Sequence, residues 1–188
     1  MKKNLILALV LCAAPVVAAP ALTLKPDSHQ KAVTVAGEYT IYDADFSDDS
    51  SYGITIKYDK VLAPMNHGNY WSWNAAFNYS SGTNDNGNPG GKSDYTTMAL
   101  RFGIDANIVT SKKLTVFVGP RIGMQQVDPD AGDKEKALLY GFATGVRYIT
   151  ENGTNLEVGY HRNFYDFSEE AWGVKSSNSI YAGISIGF

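Results

Sequence analysis

The sequence predicts an all-β fold: an eight-stranded antiparallel up-and-down transmembrane β-barrel. Three observations carry the prediction. Apolar and polar residues alternate with a period of two in eight successive segments, the stretches between them are rich in Gly, Asp and Asn, and the polar face holds charges of both signs in equal number. Composition agrees, because 44% of the 188 residues are apolar and only 19% charged, with 18 Gly, 12 Tyr and 8 Phe, a balance that suits strands and turns. The net charge of −3 supplies no basic field to hold a polyanion, so nucleic acid is not an expected partner.

The first element in chain order is a leader. Met1-Lys2-Lys3-Asn4 is a positive n-region, Leu5 to Val17 is an apolar h-region, and Ala18, Ala19 and Ala21 are small residues suited to cleavage. Residues 1–21 therefore read as a secretory signal peptide, cut between about 18 and 21. About 13 apolar residues are too few for a spanning helix, which needs roughly 20. Cys12 is the only cysteine, so the chain beyond the leader has no means of forming a disulfide or a cysteine metal site. Residues 22–30, holding Pro26, read as an extended N-terminal arm, and 31–188 as the barrel.

The strands follow. The first, about Lys31 to Tyr42, sets Val33, Val35, Tyr39 and Ile41 against Thr34, Glu38 and Thr40. In the second, about Ser51 to Lys60, Tyr52, Ile54, Ile56 and Tyr58 oppose Thr55, Lys57 and Asp59. Trp71, Trp73, Ala75, Phe77 and Tyr79 form the apolar face of the third, about Tyr70 to Ser80, away from Ser72, Asn74 and Asn78. The fourth, about Tyr95 to Asn107, separates Met98, Leu100, Phe102, Ile104 and Ala106 from Thr97, Arg101 and Asp105. In the fifth, about Leu114 to Gln126, Leu114, Val116, Val118 and Ile122 face away from Thr115, Gly119, Arg121, Gly123 and Gln125. The sixth, about Ala137 to Ile149, puts Leu138, Tyr140, Phe142, Val146 and Tyr148 opposite Gly141, Ala143, Gly145 and Arg147. Leu156, Val158 and Tyr160 oppose Asn155, Glu157, His161 and Asn163 in the seventh, about Thr154 to Phe164. The last, about Asn178 to Phe188, contrasts Ile180, Ala182, Ile184, Ile186 and Phe188 with Tyr181, Gly183, Ser185 and Gly187.

Connections at 43–50, 81–94, 127–136 and 165–177 are long and polar, and those at 61–69, 108–113 and 150–153 mostly shorter. Long loops at one end, tighter turns at the other and an even strand count describe an outer-membrane barrel. Charge placement decides which face is outside. The polar face carries Lys57, Arg101, Arg121 and Arg147 against Glu38, Asp59, Asp105 and Glu157. A closed interior needs such balance, since a buried unpaired charge costs several kcal/mol, whereas a solvated exterior does not. Counting from the hairpin centres places Glu38 level with Lys57, and Arg147 level with Glu157. His161 is expected as a hydrogen-bonded lumen residue. Eight strands leave an interior that side chains fill, so a polar plug is expected. A narrow channel between Arg101, Arg121 and Arg147 on one side and Glu38 and Glu157 on the other is the alternative. Tyr39, Tyr52, Tyr58, Trp71, Tyr79, Tyr140, Tyr148, Tyr160 and Phe188 lie on the apolar face, several near strand ends where aromatic girdles form.

Tyr181-Ala-Gly183-Ile-Ser-Ile186-Gly-Phe188 resembles the terminal strand by which outer-membrane barrels are recognised by their assembly machinery, with Tyr181, Gly183, Ile186 and Phe188 as its signal residues. With the leader and the eight strands, the chain resembles the small opacity-protein/OmpX/Ail-like family along nearly its full length. The resemblance implies the outer membrane of a Gram-negative bacterium, extracellular loops, periplasmic termini, and roles in envelope integrity, adhesion or resistance to host defence. A monomer without cofactor is expected. One departure is the loop charge: Asp43, Asp45, Asp48, Asp49, Asp85, Asp94, Asp128, Asp130, Asp133, Glu135, Asp166, Glu169 and Glu170 outnumber Lys92, Lys134, Lys136 and Lys175 by nine, a field that repels heparin-like polyanions.

Catalysis is not expected. Lipid A deacylases of this size resemble one another in a His-x-Ser element, whereas His161-Arg162-Asn163 lacks the nucleophilic hydroxyl. Asp43-x-Asp45 with Asp48 and Asp49, and Asp128-Pro-Asp130-Ala-Gly-Asp133, do not match the spacing of an EF-hand. These carboxylates suit a looser association with lipopolysaccharide phosphates through divalent cations. Asn84 to Gly91 reads as a loop tip. His29 and His67, in the arm and a turn, suggest no site.

Overall fold

A computed structural model describes residues 31–44, 48–85, 92–130, 134–150, 155–167 and 174–188. The leader at 1–21, the arm at 22–30, the tip at 86–91 and the loop carboxylates of Asp45, Asp133, Glu169 and Glu170 lie outside the described residues. The eight strands are β1 Lys31–Ala44, β2 Asp48–Pro64, β3 Tyr70–Asp85, β4 Lys92–Val109, β5 Leu114–Pro129, β6 Glu135–Ile149, β7 Asn155–Phe167 and β8 Val174–Gly187. Each pairs antiparallel with its chain neighbour, and β1 pairs with β8 to close the barrel. Closure matters in hydrocarbon, where an unpaired sheet edge would leave backbone groups without partners. It extends to Phe188, whose N–H donates to the Lys31 carbonyl at 2.9 Å.

The strands outrun the alternation that revealed them. Between β3 and β4 pairing continues through Asn84 with Ser93 and Asp85 with Lys92, and between β1 and β2 through Asp43 with Asp48. The loops at that end are accordingly shorter than the polar stretches in the sequence. Backbone pairing is indifferent to side-chain polarity, so strands persist beyond the apolar band while their pattern fades. At 13 to 18 residues they exceed the roughly 9–11 that cross a bilayer. At the end bearing the termini the described turns, 65–69 and 110–113, are tight. A short 3-10 turn at Asn66–Gly68 joins β2 to β3, with His67 at φ 61° and Gly68 at φ 79°.

Alternation sorts the two faces as the charge argument requires. Ile54 (60% exposed), Met124 (59%) and Ile180 (59%) point outward, whereas Lys57 (2%), Asp105 and Glu157 (both 0%) point into the lumen. Such a surface is stable facing lipid and not facing water. Inward glycines make room for the larger lumen groups: a Cβ on Gly159 would meet the Tyr181 ring at 2.4 Å, and one on Gly145 would meet Phe117 at 2.5 Å.

Candidate functional site

The lumen is where the chain concentrates its ionisable chemistry. Nearest the terminal end, Arg147 of β6 stands across from Glu157 of β7 in the ladder, and its Nε donates to Glu157 Oε2 at 2.7 Å. Its Nη2 reaches Asp59 Oδ1 at 3.0 Å and its Nη1 donates to Asn107 Oδ1 at 2.6 Å. Lys57 donates to Glu157 and lies 3.3 Å from Asp59. Arg121 Nη1 lies 2.8 Å from Asp105 Oδ1, and Asn74 Nδ2 donates to Asp105 Oδ2 at 2.9 Å. Arg147 Nη2 is 4.0 Å from that same oxygen. These contacts link three cations and three carboxylates into one neutral network. Phe117 lies within it, with Lys57 Nζ 5.0 Å and the Arg147 guanidinium 4.7 Å from its ring centroid.

A second neutral unit lies further along the lumen. Arg101 Nη2 donates to both oxygens of Glu38, at 2.8 and 3.0 Å, and Thr55 donates to Glu38 in turn. The placement of Glu38 level with Lys57 is corrected here: Glu38 stands opposite Gly53, and Lys57 opposite Thr34. The hairpin centre lies nearer β1 than the polar stretch implied. Four residues separate Lys57 from the position facing Glu38, about 13 Å along a strand at ~3.3 Å per residue. Arg101 finds its carboxylate on β1, three strands away, whereas Arg121 uses Asp105 on the strand beside it.

His161 is buried in the lumen, but it stacks on the Tyr181 ring at 4.9 Å between centroids, and its Nδ1 has no hydrogen-bond partner. Tyr181 itself donates to Glu157 Oε1 at 2.8 Å, while Ile186 and Phe188 of the same strand point outward, 54% and 63% exposed. Gly183 lies inward against β1. Arg162, between outward Tyr160 and Phe164, donates to Ser176 Oγ at 3.0 Å and lies 5.4 Å from the Phe164 centroid.

Several lumen groups escaped the sequence reading. Tyr42, Tyr95, Val127 and Val174 form a buried apolar cluster toward the loop end, with Tyr165 packed against it. Between this cluster and Glu38, hydroxyls bond to one another: Thr40 with Ser179 at 2.8 Å, and Ser80 with Thr97 at 2.6 Å. Parity already places Tyr42 and Tyr95 inward, since Glu38 and Arg101 share their phase. Phe117 sits in the unbroken apolar run Val116-Phe117-Val118, and the glycine facing it across the ladder, Gly145, was the available clue. At the terminal mouth the lumen opens into a depression lined by Lys31, Ala32, Asp59, Val61, Tyr70, Ser72, Arg147, Asn155 and Ser185. Arg147 is already committed there to two carboxylates, Asp59 and Glu157.

The family model for the outer membrane protein beta-barrel domain matches residues 6–188. The chain belongs to this outer-membrane barrel family. Three solved structures share the fold. Neisserial surface protein A has a TM-score of 0.60 at 17% identity, over 84% of this chain and 97% of that one. Ail of Yersinia pestis, in complex with the heparin analogue sucrose octasulfate, has a TM-score of 0.54 at 10% identity, over 85% and 100%. OprG of Pseudomonas aeruginosa has a TM-score of 0.53 at 10% identity, over 86% and 96%. Among curated protein sequences none matches the chain. Family membership makes this an outer-membrane β-barrel and agrees with the oily exterior.

Proposed function

We propose that the chain is a non-enzymatic barrel of the bacterial surface, closed to solutes by its own side chains, that acts through acidic extracellular loops in envelope integrity or surface contact. One observation carries this reading: each of the eight ionised lumen groups lies against an opposite charge, in two neutral units, and aromatic rings lie beyond them toward the loop end. A conducting path would require free charge or free volume along the axis. In planar lipid bilayers the reconstituted protein is expected to remain silent; steady conductance would establish the channel reading instead.

Orientation is part of the proposal, with termini in the periplasm and the loops outside. Exposed Asp43, Asp94, Asp130 and Asp166 support an acidic outer rim, where the Lys134–Asp128 pair at 2.6 Å is solvated and contributes little. A heparin analogue occupies the Ail structure, whereas this rim repels polysulfates. It suits lipopolysaccharide phosphates bridged by divalent cations. Lipopolysaccharide retention that disappears on chelation supports this, and retention indifferent to chelator refutes it. Tyr181, Gly183, Ile186 and Phe188 are proposed to present the terminal strand to the assembly machinery. Phe188→Ala then slows membrane insertion, read as the heat-modifiable fraction in outer-membrane extracts.

A further inference from the structure

The outer face near the terminal end carries an arrangement that the lumen does not explain. Lys31 shares the lipid-facing phase of Val33 and Val35 on β1, and Lys60 shares that of Ile56 and Tyr58 on β2. The ladder sets Lys31 directly opposite Lys60. Like charges in that position weaken strand pairing. Among the described residues neither ammonium has an ion-pair partner.

Their neighbours fix the depth. Lys60 faces Trp73 across the β2–β3 ladder, and Trp73 packs against Tyr58 with centroids 5.2 Å apart. Amphipathic rings of this kind settle at the headgroup level of a bilayer. The two lysines therefore sit at the depth of lipid phosphates, Lys31 also bordering the terminal mouth of the lumen. The described turns at this end, 65–69 and 110–113, add Lys112 and Lys113 and hold no carboxylate.

We propose that Lys31 and Lys60, flanked by Trp73, form a docking surface for the phosphate of an anionic phospholipid in the inner leaflet of the outer membrane. One bridging phosphodiester removes the like-charge conflict that the ladder imposes. The choice of leaflet rests on the periplasmic placement of the termini; the chemistry of recognition does not.

The test uses the barrel refolded in phosphatidylcholine vesicles, with Trp172→Phe leaving Trp71 and Trp73 as the only indoles of the three in the chain. Indole fluorescence is quenched with acyl-brominated phosphatidylglycerol or with brominated phosphatidylcholine at equal mole fraction. Stronger quenching by phosphatidylglycerol is expected. Lys31→Gln or Lys60→Gln is expected to lower the relative association constant roughly fivefold, the double variant to abolish the preference, and Lys31→Arg with Lys60→Arg to retain it. Equal quenching by the two lipids, or a preference that survives both glutamines, overturns the proposal. Should the double glutamine variant fail to refold, a preference unchanged between low salt and about 0.5 M salt overturns it equally. Both leaflets hold the probe, so an inverted barrel would be exposed by surface proteolysis of the loops and would leave this measurement unaffected.

Discussion

The inner and outer faces of this barrel obey different rules although they alternate residue by residue. On the outside, Val35, Ile54, Phe77, Leu100 and Ile180 need only be apolar, because lipid chains mould to whatever shape they present. Inside, Glu157 needs Lys57, Arg147 and Tyr181 at fixed positions, because a narrow lumen offers no solvent to replace a lost partner. The outer face is specified by composition, the inner by geometry. Substitutions should therefore be tolerated by chemical class outside and by individual identity inside.

The largest effect is expected at Glu157. Its removal strands Lys57 and Arg147 together, and Glu157→Ala should lower unfolding stability by about 3–5 kcal/mol, read by urea titration of the barrel in lipid vesicles. Adding Arg147→Leu should recover part of that loss, since Lys57 with Asp59 and Arg121 with Asp105 then remain as neutral pairs. A double variant as unstable as the sum of the single losses would show that the network has no coupling, and that the inner face is no more particular than the outer.

Next comes a charge on the wrong side. Phe102, half way along the outer face of β4 with Ala75 and Ile122 across from it, should cost about 2–4 kcal/mol when replaced by Arg. The same titration checks it. A near-neutral result would mean that this face is wet, and would undo the membrane reading more directly than any lumen variant. Gly159→Ala should follow at about 1–3 kcal/mol, because the new methyl displaces the Tyr181 ring from both His161 and Glu157. Loss of the near-ultraviolet circular dichroism of buried tyrosine would accompany it.

How much of this was legible in the sequence follows the same division. Strand number, strand phase and the inward placement of every lumen charge were readable, because lipid enforces a strict period of two over the apolar band. Partner identity was not. Arg147 and Glu157 flank a four-residue stretch at 150–153, so counting outward from its centre set them level, and the ladder pairs them. Glu38 was placed against Lys57 because the centre of the hairpin between β1 and β2 was set too far from β1; Arg101, three strands away, holds it instead. Contacts across a lumen depend on strand tilt and stagger around the whole barrel, and these leave no local mark. Phe117 was missed for another reason: it is apolar between two valines, although it shares the inward phase of Thr115 and Arg121 and faces Gly145 across the ladder.

The smallest effect is the most informative about the outer face. Ile122→Leu keeps volume and polarity while changing shape, and Ile122 is 56% exposed toward lipid. In a packed protein core a change of branching disturbs its neighbours, whereas fluid acyl chains rearrange at little cost. The stability change should stay within about 0.5 kcal/mol, as for an ordinary surface substitution. The control is Leu139→Ile, the same kind of exchange at a position buried in the lumen, opposite Gly123 and Tyr165 in the ladders, where the shape is fixed by protein neighbours. Its cost should approach about 1.5 kcal/mol. Equal losses at the two sites would mean that a partner protein, and not lipid, covers the outer face at Ile122.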